Sequence, residues 1–251
     1  MTTTAATSQA GAMAASNIIP SADRPPQRIL IECRRLTKSY RKGDNIITPL
    51  AELDLLVPEG DFLALMGPSG SGKTTLLNLI GALDRPTSGT LQVAGEDLGA
   101  LDAAAAARFR NRHLGFVFQL HHLLPQCTVL ENVLVPRLAG GWTEDAATTR
   151  ARAEALLREV GLQDRLDHRP YQLSGGEQLR VAIARALINQ PRVILADEPT
   201  GSLDPATGER IADLLLRQTA GKAALVVVTH NPGLARRLHR TCRLEQGRLV
   251  G

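Results

Sequence analysis

Aromatic side chains are scarce in this 251-residue chain, which holds four Phe, two Tyr and one Trp. So thin a supply excludes the extended stacking platforms on which single-stranded nucleic acids lie. Cysteine is as sparse, and Cys33, Cys127 and Cys242 stand far apart. Three scattered thiols match no zinc or disulfide spacing; they fit a reducing compartment, each as a small core or surface residue. No apolar run approaches the ~20 residues needed to cross a bilayer. An excess of one charge sign is missing too, since 29 basic against 25 acidic residues leave a net charge of +4. That surplus is too mild to mark a nucleic-acid or anionic-lipid footprint. Membrane-spanning, disulfide-rich secreted, collagen-like and zinc-finger classes are thereby excluded.

What is present suffices for a globular core, at 43% hydrophobic and 22% charged residues. Residues 1–27 are rich in Ala, Thr, Ser and Pro without hydrophobic periodicity, and their first basic residue is Arg24. A signal peptide needs a basic start and an apolar centre, so this stretch is expected to be a disordered tail. From Arg28 onward, short β-rich runs appear at Ile29–Glu32, Phe62–Met66, Phe116–Phe118, Val193–Ala196 and Leu225–Thr229. Segments with helical spacing stand between several of them, at Thr74–Leu83, Thr148–Val160, Gly176–Asn189 and Thr207–Gln218. Continuous apolar strands alternating with helices predict an α/β fold whose mainly parallel sheet is covered on both faces. Leu101–Arg169 is more helical and reads as an insertion bounded near Pro125 and Pro170. The run Arg243–Gly251 leaves no expected room for a further C-terminal domain.

Four strand ends carry chemistry. Gly67-Pro68-Ser69-Gly70-Ser71-Gly72-Lys73-Thr74 follows the run Phe62–Met66 and opens a helix, with Thr75 beside it. In this P-loop pattern, glycines let backbone N–H groups curl around phosphate oxygens at a helix N-terminus. Lys73 is expected to reach the β- and γ-phosphates and the Thr74 hydroxyl to hold Mg²⁺. A glycine-rich turn that merely caps a helix is the plainer role, and the strand and helix on either side argue against it. The run Val193–Ala196 delivers Asp197 and Glu198 to the sheet's ligand edge. Asp197 is expected to hold Mg²⁺ and Glu198 to polarise the attacking water as a general base. Gln119 and His230 end two further strands, the first suited to the Mg²⁺ and water shell and the second to a γ-phosphate hydrogen bond.

Leu173-Ser174-Gly175-Gly176-Glu177 has two readings that hold together. Ser174 and Glu177 form a capping box for a helix with apolar Leu179, Ile183, Ala186 and Leu187. Two glycines and a serine hydroxyl at a helix start also make an anion site. A second such site beside one P-loop predicts a dimer in which each chain completes the other's nucleotide site.

Taken together and in this order, the motifs resemble those of the nucleotide-binding subunits of ABC transporters, over Arg28–Gly251. The resemblance implies a P-loop NTPase core with a mainly parallel sheet, an antiparallel β portion near the N-terminus and a helical insertion at about 120–175. It implies ATP and Mg²⁺ as ligands, with Thr74, Gln119 and Asp197 on the metal. Tyr40 then stacks on adenine, Ser174 to Glu177 form the signature, and Asp204 in Ser202-Leu203-Asp204 links the two sites. It further implies a head-to-tail homodimer that drives separate transmembrane permease subunits from the cytoplasmic face of the inner membrane, as a peripheral protein without nucleic acid. A narrower resemblance, carried by Leu114 to Pro125, Glu131-Asn132-Val133 and His168-Arg169-Pro170, is to the ATPases of lipoprotein-releasing systems. ATPases of macrolide-type exporters and of cell-division complexes are near alternatives, and a cytosolic ATPase acting on nucleic acid or ribosomes is a distant one. His121-His122 lacks metal-ligand spacing and is expected on a surface that meets the permease. Leu179, where the family has a polar residue, is expected on the apolar face of its helix.

Overall fold

The computed structural model describes residues 28–139 and 141–250. The tail expected at 1–27 lies outside the described residues. Two sheets build the chain. In the first, β1 (Ile29–Lys42) pairs antiparallel with both β2 (Asn45–Pro58) and β4 (Ser88–Val93), and β4 pairs with the short β5 (Glu96–Asp97). In the second, β3 (Phe62–Met66), β6 (Leu114–Phe118), β7 (Val193–Asp197), β8 (Ala224–Val228) and β9 (Arg240–Glu245) run parallel in the order β9-β3-β8-β7-β6. A short antiparallel β10 (Arg248–Val250) closes the β9 edge.

Both faces of the sheet are covered at β3, β6, β7 and β8, which is why these strands are apolar, whereas β9 near the edge alternates buried Cys242 and Leu244 with exposed Thr241 and Arg243. Alternate residues go to opposite sides, as the pleat requires. Phe62, Ala64, Ile194, Ala196, Leu225 and Val227 enter one apolar cluster, shared with helices of the 129–238 region. Leu63, Leu65, Val193, Leu195, Val226 and Val228 enter another, shared with the antiparallel sheet and α1 (Lys73–Ile80).

α2 (Ala103–His113) buries only Phe109 and is started by Asp102, whose side chain accepts from Ala105 N. Between β6 and β7 stand α3 (Val129–Leu138), α4 (Ala146–Glu159) and α5 (Gly175–Leu187). α5 is buried on nearly every side because β6, α3, α4 and α6 (Pro205–Thr219) surround it. Leu179 is fully buried there. α7 (Pro232–Ala235) is a single turn.

β2 went unread in the sequence, and β1 extends ten residues beyond the run Ile29–Glu32. Their pairing shifts register repeatedly and β2 contains Pro49, so no clean alternation survives in the sequence.

Candidate functional site

The loop Gly67–Gly72 joins β3 to α1 and is pressed between other backbones. Gly67 has φ +149°, and a Cβ there would lie 2.1 Å from Leu244 O. Gly72, at φ +104°, would put a Cβ 2.3 Å from Pro49 O. Only glycine fits either place. Gly72 is also the N-cap of α1, where no side chain caps the helix, so its first N–H groups face the loop interior. Lys73 is 7% exposed and its Nζ donates to Gly67 O (2.9 Å) and Pro68 O (2.8 Å). Ser71 Oγ is buried without a hydrogen-bond partner among the described residues, while Thr74 is exposed and Thr75 half-buried beside it. Pro68, Ser69 and Gly70 complete the loop, Gly70 at φ +77°.

Parallel pairing brings the other strand ends to the same edge. β8 separates β3 from β7, and β6 flanks β7 with Phe118 opposite Asp197. Burial raises the half-buried Asp197 carboxyl above the usual carboxylate range, partly opposed by the Lys73 ammonium. Glu198 is held at φ +43° just past the strand, its N–H donating to Val228 O (2.9 Å). Its Oε1 is buried without a hydrogen-bond partner among the described residues and stands 3.5 Å from His230 Nε2. Gln119 Nε2 would lie 3.3 Å from a Cβ on Gly201, and Glu198 Cβ 3.5 Å from the same point. Gln119 and Glu198 thus share the space that Gly201 leaves open. Hydroxyl, carboxamide and carboxylate oxygens from Thr74, Gln119 and Asp197 make a donor set that suits Mg²⁺. The glycine cradle, the uncapped helix and the orphaned Glu198 oxygen fit a polyphosphate and a polarised water.

Tyr40, on β1, is paired with Ile47 of β2, two residues from the Pro49 that abuts Gly72. Its ring is partly exposed, its hydroxyl donates to Asp84 Oδ2 (2.7 Å), and Lys38 Nζ stands 4.7 Å from the ring centroid. Burial, followed by the Asp84 carboxylate, raises the phenol above its usual range. Asp84 also accepts from Lys38 Nζ (2.6 Å). No sequence spacing relates Asp84 to Tyr40, and it went unread.

The Ser174 turn is a different kind of helix start. Ser174 Oγ accepts from Glu177 N (3.3 Å), while Glu177 Oε2 accepts from Ser174 N and Ser174 Oγ, both at 2.9 Å. These donors hold the Glu177 carboxyl below its ordinary range. A Cβ on Gly175 would meet Leu203, and one on Gly176 would lie 2.9 Å from Thr207 Cγ2. The start of α5 therefore rests on the start of α6, whose N-cap Asp204 accepts from Thr207 N (3.0 Å). Among the described residues, no hydrogen bond or ion pair joins Ser174–Glu177 to Gly67–Thr75.

Past Gln119 the chain turns through His121 and His122, both at positive φ (+60° and +47°). Arg185 of α5 locks this turn, its two Nη atoms donating to His121 O and His122 O at 2.6 Å each. The expectation of a surface histidine pair is corrected for His121 alone, since His122 is exposed. His121 is 8% exposed, its Nε2 buried without a partner among the described residues, whereas Leu120 is 75% exposed. Arg185 went unread because periodicity marks only the apolar face of α5.

Comparison with known proteins adds four findings. Residues 50–201 match the ABC transporter family. The chain is 49% identical over 225 residues to the lipoprotein-releasing system ATP-binding protein LolD of Pseudomonas fluorescens, covering 89% of this chain and 98% of that protein. It is 47% identical over 221 residues to the macrolide export ATP-binding/permease protein MacB 1/2 of Paracoccus denitrificans, there covering 88% of this chain and 33% of that protein. Among solved structures, a dimeric ATP-binding cassette in a post-hydrolysis state with ADP and Pi aligns at TM-score 0.80 and 42% identity, over 88% of this chain and 97% of that one.

Proposed function

The chain belongs to the ABC transporter family as an ATP-binding and ATP-hydrolysing cassette, and we propose that it powers the release of lipoproteins from the inner membrane. The carrying observation is identity, 48–51% to lipoprotein-releasing ATPases of several species against 47% to the macrolide export ATP-binding/permease protein. No helix among the described residues is long and apolar enough to cross a membrane. In this reading separate permease subunits supply the membrane passage, and this chain docks on their cytoplasmic face as a homodimer. Residues 28–251 act as one ATPase unit, with about 120–175 as its helical insertion.

Amides of Gly67 to Thr75 bind the β- and γ-phosphates, and Lys73 exchanges its two loop carbonyls for phosphate oxygens. Tyr40 offers its ring to adenine. Thr74, Gln119 and Asp197 would hold magnesium, which would supply positive charge to offset that of the phosphates. Glu198 Oε1 accepts a proton from water as that water attacks the γ-phosphorus and the bond to the β–γ bridging oxygen breaks. His230 holds a γ-phosphate oxygen and keeps Glu198 in place. The partner chain's signature turn closes over the same phosphates, and Asp204 lies where the two halves meet.

Glu198→Gln keeps the shape and removes the base. Hydrolysis is expected to fall by about 10²–10⁴-fold, while an ATP-bound dimer persists on size-exclusion chromatography. Hydrolysis at the parental rate would remove Glu198 from its role. The substrate is tested by reconstituting the ATPase with its permease in vesicles carrying a lipoprotein. ATP-dependent transfer to a soluble acceptor is expected, and macrolide efflux without lipoprotein release would overturn the substrate assignment.

A further inference from the structure

We propose that the cleft between α4, α5 and α6 is a second anion site, taking a ligand with at least two phosphate-type charges, distinct from the nucleotide loop. The cavity has a volume of about 390 Å³, and Arg180 of α5 and Arg210 and Arg217 of α6 line it together. Among the described residues, none of the three forms an ion pair. Glu159, at the end of α4, also lines the cleft and pairs with none of them. Arg210 Nη2 donates to Thr207 Oγ1 (3.0 Å). Arg180 Nε is buried without a partner among the described residues, and Arg217 makes no side-chain hydrogen bond there.

Clustered guanidinium groups repel one another, and a buried N–H without an acceptor is costly. Elsewhere in the chain the acids do the opposite work: Glu144 accepts from both Arg137 and Arg152, and Asp61 accepts from Arg240. Here Asp204 is near enough to Arg210 to feel its charge and Glu159 lines the cleft, so two carboxylates face three guanidinium groups without pairing with any of them. Residues 210 and 217 lie two turns apart on one face of α6, and Arg180 approaches from the neighbouring helix. That spread suits a ligand with two anionic centres better than a single small ion. The planar fork of arginine recognises phosphate oxygens two at a time.

A ligand spanning the three arginines would tie α5, within its first two turns after Ser174, to α6 from Arg210 to Arg217 in the last turn of that helix. Occupancy is therefore expected to change ATP turnover. That coupling rests on the proposed roles of Ser174 and Asp204, whereas binding itself does not.

The test uses the full chain with ADP and magnesium in excess, so that the P-loop is filled. Pyrophosphate is titrated by calorimetry and by thermal unfolding, and in parallel the chain is sedimented with phosphatidylglycerol or phosphatidylcholine vesicles. Saturable pyrophosphate binding is expected, weakened about tenfold or more in the double variant Arg210→Gln/Arg217→Gln and unaltered in Arg236→Gln, an exposed arginine at the end of α7 outside the cleft. Both arginines are surface residues, and circular dichroism verifies that the variants fold. Arginine-dependent sedimentation with phosphatidylglycerol alone would keep the site and assign it to two neighbouring lipid headgroups, one charge from each. No binding in either arm, or binding that survives the double variant, overturns the site. Arginine-dependent binding with unchanged ATP turnover keeps the site and overturns the coupling.

Discussion

α1 and α5 both begin on glycines, yet they treat their unpaired N–H groups in opposite ways. At α1 the N-cap is Gly72 and no side chain reaches back. At α5 Ser174 and Glu177 satisfy each other's backbone through a complete capping box. The first start has no means of satisfying itself and is held in shape by Pro49 and Leu244 pressing on its glycines. The second is stable alone and can give its serine hydroxyl to a phosphate only by releasing Glu177. One is a standing site and the other a conditional one. This difference suits a cassette in which a nucleotide binds first to one chain and is then closed over by the other.

The comparison breaks most severely at Gly72. Gly72→Ala forces a side chain to within contact of Pro49 O at a φ that L-residues avoid, at a cost of roughly 1–3 kcal/mol. At roughly 2–4 °C per kcal/mol for a chain of this size, the Tm should fall by several degrees, and ADP binding measured by calorimetry should vanish. Intact ADP affinity would mean that the loop tolerates a reshaped backbone.

Ser174→Ala should act more selectively. Losing the cap costs about 1 kcal/mol, a Tm drop of roughly 2–4 °C, and ADP affinity of the single chain should not change. Steady-state ATP turnover should fall by about tenfold or more, as expected for one lost bond to a charged group. Parental turnover with lowered stability would leave Ser174 as a cap and nothing more.

The smallest effect concerns the far end of α5, at the turn that Arg185 holds. Burial lowers the proton affinity of His121 below that of an ordinary imidazole. The unfolded chain then binds the proton more readily, so stability is full above a pH of about 6.5 and declines as pH falls below it. His121→Asn keeps a residue that accepts positive φ and removes the titration. The gap between urea midpoints at about pH 7 and pH 5.5 should be smaller in the variant than in the parent, the rest being left to His113, whose proton affinity burial also lowers. Equal sensitivity in both chains would place the acid response elsewhere.

Much of the nucleotide edge was legible because its signals are local. A P-loop, an apolar strand ending in two acids and a capping box each fit within about ten residues. The structure places the ends of β3, β6, β7 and β8 along one edge, as parallel apolar strands require. The antiparallel sheet was legible only through the family resemblance, since bulges and Pro49 erase its alternation. Asp84 and Arg185 were out of reach for another reason. Their partners, Tyr40 and the His121–His122 turn, are 44 and 63–64 residues away in the chain, and nothing local to either residue announces the contact.

The phosphate loop is written early in the sequence but braced late. Leu244 O closes on Gly67, and Gly247 O accepts from Ala51 N beside the Pro49 that abuts Gly72. During synthesis on the ribosome, β3, the loop and α1 emerge long before β9 and β10 exist to press on them. The nascent chain therefore carries a P-loop sequence without a finished phosphate cradle. Tight nucleotide binding becomes a marker of a completed chain, and premature termination before β9 should yield a protein that cannot sequester ATP.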